Sequence, residues 1–331
     1  MPHNNIAIFI PHAGCSHQCS FCNQRSISGT QRPPSPVEVR QVCAQAFGQI
    51  KNRGDTQIAF FGGSFTAVDP AYRRELLLSV QDFIGPGKFQ GIRVSTRPDC
   101  IDADILAELK LFGVTAVELG AQSLCDEVLR QNRRGHTAQD VRRASALIRE
   151  AGFELGLQMM VGLYGSSVEE DLRTADEIVR LHPRTVRVYP TVILEDTNLA
   201  RLYQGGVYTP MELEDAVQIC ARMLRLFEEN GIAVIRLGLH ASEEMEGRML
   251  GGVYHPAFRE LCEARIFREE LNFALAGRTG RFLAEVPPGA VSKAVGHKRA
   301  NRDFFAGKGV YLRFRPAGDL GGYTIRLTEE V

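Results

Sequence analysis

Apolar segments that alternate with amphipathic helical segments constrain the fold of this chain more than any other feature. The candidate strands are Asn5–Pro11, Gln57–Phe61, Gly91–Ser95, Ala116–Gly120, Glu154–Met160 and Thr185–Thr191, with Ala233–Leu237 as a seventh. Six or more strand–helix units in series predict a parallel sheet with right-handed crossovers. Such a sheet closes as a doubly wound sheet or as a (β/α) barrel, and the pattern alone leaves both open.

Two helices of this alternation have a complete start signal. Ser35 and Thr209 are each followed by proline and, three residues after the hydroxyl, by glutamate. A hydroxyl N-cap, a proline in the first turn and an acid at the third helical position favour a helix start. The sequence therefore predicts helices after Ser35 and Thr209, and glycines end three others, at Gly113, Gly152 and Gly231.

The composition is that of an ordinary globular protein. The 331 residues include 39 Lys and Arg and 39 Asp and Glu, so the formal net charge is zero. No apolar run reaches the roughly 18 residues that a membrane span needs, and no signal peptide is evident. We therefore expect a cytoplasmic protein with reduced thiols and no membrane partner.

The character of the chain changes after residue 240. A glycine-rich segment, a helix and three short strands follow, with a basic stretch between the first two strands. We predict two domains, a barrel over residues 1–240 and a small α+β module over residues 241–331, a length sufficient for an independent unit.

Three cysteines near the N-terminus follow the first candidate strand directly. Cys15, Cys19 and Cys22 have the spacing C-x3-C-x2-C, while the other five cysteines are scattered singly. Three thiolates on one loop suit three irons of a [4Fe–4S] cluster and leave the fourth iron open for a small ligand. A zinc site that adds His12 or His17 is the alternative for the same residues.

This cysteine loop resembles the signature of the radical S-adenosylmethionine (radical SAM) superfamily. The resemblance implies a partial (β/α)6 TIM-like barrel, S-adenosylmethionine (SAM) as second cofactor and an external one-electron donor. The open iron would chelate SAM, whose reductive cleavage yields a 5′-deoxyadenosyl radical that abstracts hydrogen from the substrate. It also implies that Phe21 packs near the adenine.

Motifs at the ends of the later strands resemble the elongator catalytic subunit family and, more distantly, oxygen-independent coproporphyrinogen oxidase. Gly62 and Gly63 match the glycine-rich strand whose backbone meets the SAM amine. Gln122 and Arg134 match a glutamine and an arginine that contact SAM. These matches imply the SAM contacts of this chain.

Three further positions complete this set of implied residues. Ser95 stands before Thr96-Arg97-Pro98-Asp99 where the elongator family usually has glutamate. Gln158 stands where relatives carry histidine or an acid, and its amide suits a ribose hydroxyl. Tyr189, in a Tyr-Pro-Thr block, is implied as an active-site wall residue that could carry or quench a radical; a tyrosine that only packs in the barrel is the alternative.

The C-terminal module carries a basic cluster. Lys293, Lys298, Arg299 and Arg302 lie in a segment that resembles the helix–loop–helix of KH RNA-binding domains, although Gly296 has no second glycine three residues later. RNA contact and a solvated basic helix face are the two interpretations.

The resemblance implies an enzyme that modifies tRNA or another RNA nucleoside. The acetyltransferase domain of the elongator catalytic subunit is expected to be absent, so the use of acetyl-coenzyme A stays open. A radical SAM enzyme with a small, porphyrinogen-like substrate is the alternative, and a redox-sensing protein without enzymatic activity is a third.

Overall fold

The computed structural model describes residues 4–15, 19–24, 29, 32–239 and 243–330. Contacts between Cα atoms divide the chain into two compact units. The first unit comprises Met1–Met211 and Phe227–Val253, and the second comprises Glu212–Leu226 and Tyr254–Val331. The predicted boundary between residues 240 and 241 stays a prediction, because both residues lie outside the described part of the chain.

The first unit is built on one seven-stranded parallel sheet that curls into a half-barrel. Its strands follow one another in chain order, β1-β2-β3-β4-β5-β6-β8. They are β1 (Asn4–Ile10), β2 (Thr56–Gly62), β3 (Gly91–Thr96), β4 (Val114–Gln122), β5 (Glu154–Val161), β6 (Thr185–Pro190) and β8 (Ala233–Leu237). A doubly wound sheet would reverse its strand order at a switch point, whereas a barrel adds each strand beside the last. The prediction of a partial (β/α) barrel is confirmed.

Helices fill the crossovers between these strands. They are α1 (Pro36–Gln49), α2 (Pro70–Ser79), α3 (Ala103–Leu111), α4 (Asp126–Gln131), α5 (Ala138–Glu150), α6 (Val168–Arg180), α7 (Asn198–Gln204) and α8 (Leu213–Glu229). A short helix, α9 (Glu243–Glu246), follows β8. Ser35 and Glu38 form the predicted capping box of α1. Gly113, Gly152 and Gly231 have positive φ angles just after helices, as predicted for helix stops.

The predicted start of helix α8 is wrong. Helix α8 begins at Leu213 rather than directly after Thr209. The hydroxyl of Tyr208 donates a hydrogen bond of 2.6 Å to the carbonyl oxygen of Gly162. This anchor holds the chain before α8 against the loop after β5, so the helix starts beyond Met211.

A second, smaller sheet in the first unit was not predicted. Strand β7 (Val192–Leu194) pairs antiparallel with β9 (Met249–Gly252). Both strands are shorter than the window over which an alternating pattern can be recognised, and the two lie more than 50 residues apart in the sequence. Only their pairing reveals them.

The second unit has the α+β composition that the sequence predicts. Helix α10 (Phe258–Leu275) precedes β10 (Gly280–Val286), two short helices α11 (Val291–Val295) and α12 (Ala300–Ala306), β11 (Val310–Pro316) and β12 (Arg326–Glu329). Strand β10 is central, parallel to β11 and antiparallel to β12. Leu271, Phe282 and Phe305 are almost fully buried in its core.

None of the described helices combines the length and the apolar character that a membrane span requires.

Candidate functional site

The three N-terminal cysteines lie together at the carboxyl end of β1. Burial raises the pKa of Cys15, and raises the pKa of Cys22 to about 12, and in both cases the neighbouring cysteines add to the effect. Among the described residues, no three Cys, His, Asp or Glu side chains are close enough to hold a single metal ion. Three cysteine thiols on one loop are the donor set that a [4Fe–4S] cluster with one open iron would need.

The cysteine loop is anchored by Ser20, which directly follows its second cysteine. The hydroxyl of Ser20 donates to the side-chain oxygen of Asn132 at 2.6 Å, and the carbonyl oxygen of Ser20 accepts from the Leu199 amide at 2.7 Å. Asn132 follows α4 and Leu199 lies in α7, so two helices fix the position of Cys19.

Glycines allow the cysteine loop to pack on the end of β2. The amide of Gly63 donates to the carbonyl oxygen of Ile10 at 3.0 Å, and the amide of Ser64 donates to that of Ala13 at 2.8 Å. A Cβ atom on Gly63 would collide with the carbonyl oxygen of Ala13. The glycine pair is therefore needed for this close approach of two backbones, whatever else it contacts.

The side chain of Gln24 closes the same turn. Its amide nitrogen donates to the carbonyl oxygen of Gly62, and its oxygen accepts from the backbone amide of His12. The ring nitrogen Nε2 of His12 accepts from the Gln24 amide at 3.1 Å. A zinc ion could therefore use Nε2 of His12 only if this pairing broke, and His17 lies outside the described residues.

Two buried arginines face the cysteines. Nη1 of Arg134 donates to the Sγ atom of Cys19 at 3.0 Å, and its Nη2 donates to the carbonyl oxygen of Gly120 at 2.6 Å. Arg97 is held by the carboxylate of Asp99, and the charges of both arginines act on the Cys15 thiol. Positive charge beside thiolates favours their deprotonation and hence cluster binding.

Gln122 and His136 present unsatisfied polar atoms close to these arginines. Gln122 has φ of +65° at the end of β4, and its buried side-chain oxygen has no hydrogen-bond partner among the described residues. Burial lowers the pKa of His136 to about 4, so the ring is neutral at pH 7, and within the described part of the chain its Nδ1 also lacks a partner. Buried polar atoms without partners are rare in folded proteins and suit a polar ligand.

A buried network of charges lines the interior of the half-barrel below this site. The carboxylate of Glu118 accepts from Arg187 at 2.8 and 3.0 Å and from Arg93 at 3.2 Å. Burial alone would raise the pKa of Glu118, but the two guanidinium groups lower it below its ordinary value. Gly156 leaves room for this network, because a Cβ atom there would lie 2.6 Å from the Cγ atom of Glu118.

The other residues implied at the strand ends fall around this network. Nε2 of Gln158 donates to Glu118 at 2.8 Å and to the hydroxyl of Ser95 at 3.3 Å, so the three side chains share one cluster. Tyr189 is half-buried and hydrogen-bonded to Arg187. Phe21 packs against the apolar cluster of Ile193 and Leu199.

A cavity of about 520 Å³ opens beside the cysteine loop. Cys19, Arg133, Asp196, Asn198 and Arg201 are among its lining residues. Its volume is in the range of small-molecule sites, and one of its walls is a predicted cluster ligand.

Two of the basic residues of the second unit, Lys298 and Arg299, lie on one turn. Gly296, Lys298 and Arg299 have φ angles of 86°, 50° and 68°, between α11 and α12. The buried Asn301 supports the turn, because its amide donates to the carbonyl oxygens of Ala264 and Ala294 at 2.7 and 3.0 Å.

Lys293, Lys298, Arg299 and Arg302 differ in their partners. Lys293 forms an ion pair of 3.1 Å with Glu263. Lys298, Arg299 and Arg302 are exposed and make no ion pair within the described part of the chain. Three of the four predicted RNA contacts are thus available to a partner.

Sequence reasoning missed the charge network inside the half-barrel and the Gln24 side chain that closes the turn of the cysteine loop. Arg93, Glu118 and Arg187 were visible as charged residues inside apolar strands, spaced so that all face one side. Gln24 carries no comparable signal, because a glutamine in a loop is ordinary.

Known proteins resemble the chain in both sequence and structure. The profile of the Radical SAM superfamily matches residues 9–178, and that of the Radical_SAM C-terminal domain matches residues 183–268. A tRNA uridine(34) acetyltransferase from Dehalococcoides mccartyi is 28% identical over 239 residues, which are 62% of this chain and 52% of the relative. Human Elongator complex protein 3 is 27% identical over 242 residues, 66% of this chain and 44% of the relative. The chain therefore spans about half the length of these relatives.

Solved structures share the fold. The archaeal Elp3 protein of Methanocaldococcus infernus, with an N-terminal deletion, has a TM-score of 0.64 at 19% identity, covering 81% of this chain and 63% of that one. Coproporphyrinogen III oxidase from Escherichia coli has a TM-score of 0.50 at 19% identity, covering 70% and 53%. The predicted resemblance is confirmed, and the chain belongs to the radical S-adenosylmethionine superfamily of enzymes.

Proposed function

We propose that this enzyme binds a [4Fe–4S] cluster through Cys15, Cys19 and Cys22, binds SAM at the open iron and modifies an RNA nucleoside, with tRNA as the first candidate. The observation that carries the proposal is the gathering of three cysteines and two buried arginines at the carboxyl end of β1. When bound, the two cofactors supply a 5′-deoxyadenosyl radical that abstracts hydrogen from the substrate.

The residues around the cysteines bind and orient the cofactors. Gln122 offers a buried, unpartnered oxygen to the SAM amine, and Arg134 offers its guanidinium both to Cys19 and to the SAM carboxylate. The backbone of Gly62 and Gly63 borders the same turn. Ser95 and Gln158 are the candidates for the ribose, and Phe21 is the candidate for the adenine.

The proposal of an RNA substrate draws on the relatives. The bacterial tRNA uridine(34) acetyltransferase and the human elongator protein match this chain over 239 and 242 residues. Their names describe whole proteins of about twice the matched length, so only the radical step is proposed for this chain. An acetyl-coenzyme A requirement is left to the assay.

The second unit supplies an RNA-binding turn in this proposal. Two adjacent non-glycine residues with positive φ are strained, and such strain persists where the surroundings fix it. Here Asn301 fixes it and the strained residues Lys298 and Arg299 are exposed cations. The turn would hold both charges ready for neighbouring phosphates, with Arg302 and Lys293 beside it.

The first experiment is an anaerobic assay of the reconstituted protein with SAM and dithionite, with and without total tRNA. We expect 5′-deoxyadenosine that rises with tRNA and a new nucleoside mass after digestion. Deoxyadenosine that ignores tRNA would remove the RNA substrate and favour a small molecule. No deoxyadenosine from a fully loaded cluster would contradict the radical step itself.

A second experiment tests the RNA-binding turn. In K298A/R299A we expect weaker tRNA binding and a shallower dependence of log K on log salt, by about 1 to 2 in slope. The matched control is K51A/K88A, which removes two lysines of the first unit that form no ion pair among the described residues. Equal effects of both double variants would show that only net charge matters.

A further inference from the structure

The interior of the half-barrel holds more positive than negative charge near β6 and β8. Arg187 on β6 and Arg236 on β8 are direct neighbours in the strand register. Arg93, Arg187 and Arg236 contribute three positive charges, and Glu118 and Glu154 are the carboxylates paired with the first two. Among the residues that the structure describes, one guanidinium is therefore left over.

That excess charge belongs to Arg236. Both hydrogen-bonded edges of the Glu118 carboxylate are occupied by Arg187 and Arg93, at 2.8 to 3.2 Å. Arg236 is half-buried and makes no side-chain hydrogen bond or ion pair within the described residues. A cation that is partly removed from water without a partner is costly, so it marks a place where an anion binds favourably.

Tyr189 makes this place suitable for an oxyanion. Its phenol is hydrogen-bonded to Arg187, and the charge of Arg236 acts on it as well. The guanidinium of Arg187 also lies 4.8 Å from the centre of the Phe61 ring, which provides an apolar wall. A phenol hydroxyl and a free guanidinium together offer donors that match carboxylate or phosphate oxygens.

We propose that Arg236, assisted by Tyr189, binds an anionic oxygen group, a carboxylate or a phosphate, of the substrate or co-substrate inside the half-barrel. This inference rests on the proposed function only in taking the barrel interior as the reaction chamber. Strand β8 is the last strand of the sheet and β1, which carries the cysteine loop, is the first. The anion site therefore lies at the β8 end of the sheet, where the substrate would bind, rather than at the β1 end, where the cluster would bind.

Fluorine NMR can test this site with three small probes. Trifluoroacetate represents a carboxylate, monofluorophosphate represents a phosphate, and trifluoroacetamide is a neutral analogue of the first. Line broadening of each probe by the full-length protein gives its affinity, with and without a loaded cluster. The variants are R236Q, R236K and, as matched control, R184Q, which removes an exposed arginine without a side-chain partner among the described residues just before β6.

We expect one of the two anions to bind the wild type and R184Q with equal affinity. The same anion should bind R236Q at least tenfold more weakly, and its affinity for R236K should stay within about threefold of that for the wild type. The anion that shows this pattern identifies the group, carboxylate or phosphate. Equal binding of both anions to wild type and R236Q would overturn the proposal, as would broadening of the neutral probe to the same extent. Circular dichroism of the variants confirms their folding, and failure of cluster loading leaves this readout intact, so the two proposals fail separately.

Discussion

The arginines of the first unit and those of the second unit are used in opposite ways. In the half-barrel, Arg93 and Arg134 are buried and their donors are directed at a carboxylate, a thiol or a backbone carbonyl. On the turn of the second unit, Arg299 and Arg302 are exposed and form no ion pair within the described residues. Buried, fixed cations can orient reacting groups, whereas exposed ones can only attract and dock a polyanion. In the proposed function, the chemistry therefore belongs to the first unit and RNA recruitment to the second.

The largest effect should come from the cysteine loop. Replacing Cys19 with serine removes one of the three proposed ligands and the acceptor of the Arg134 hydrogen bond. We expect loss of bound iron after reconstitution and loss of deoxyadenosine formation by at least a thousandfold. Iron analysis and product chromatography measure both. The matched control is C43S, since Cys43 is buried in α1, away from the loop; equal iron loss in both variants would contradict the assignment of ligands.

The next effect distinguishes buried from exposed ion pairs. E118Q leaves Arg93 and Arg187 without their shared charge, and we expect the free energy of unfolding of the first unit to fall by about 3–5 kcal/mol. The contrasting variant is D319N in the second unit, because Asp319 and its partner Arg326 are both exposed; there we expect little change. Urea unfolding measures both changes, and an equal loss of unfolding free energy in the two variants would contradict the comparison.

These expectations also show how far the sequence could lead. The strands and the cysteine loop were predictable, because buried parallel strands read as apolar runs and the C-x3-C-x2-C spacing is distinctive. The charge network was not, since Glu118 on β4 and Arg187 on β6 meet only after two crossovers bring their strands together. The start of α8 was missed for the same reason: the anchor of Tyr208 on Gly162 is a tertiary contact that overrides a complete local start signal.

A pH effect should appear at the loop after β5. Burial raises the pKa of Asp171 to about 6, although the Gly162 amide and the Ser166 hydroxyl donate to its carboxylate at 2.8 and 2.6 Å. The folded state thus binds more protons than the unfolded state between about pH 4 and pH 6, so stability falls as the pH rises through this window. Relative to D171N, the wild type should lose about 2 kcal/mol of unfolding free energy between pH 4 and pH 7. A pH-independent difference in unfolding midpoints between the two proteins would contradict this.

The smallest effect concerns the cluster potential. Hydrogen bonds and positive charge at a ligand sulfur stabilise the reduced cluster. In R134Q, which removes the charge beside Cys19, we expect the ratio of reduced to oxidised cluster at a fixed potential to fall about tenfold, equivalent to about 59 mV for one electron. A redox titration followed by electron paramagnetic resonance measures it. R133Q, which changes the adjacent exposed arginine, should leave the potential unchanged.

The most direct measurement of the central claim is the electron paramagnetic resonance spectrum of the reduced, reconstituted protein with and without SAM. If Cys15, Cys19 and Cys22 hold three irons and leave the fourth open, the spectrum should be that of a [4Fe–4S] cluster with spin one half, and SAM should shift its g values by binding to the open iron. A cluster spectrum that SAM leaves unchanged would contradict the account.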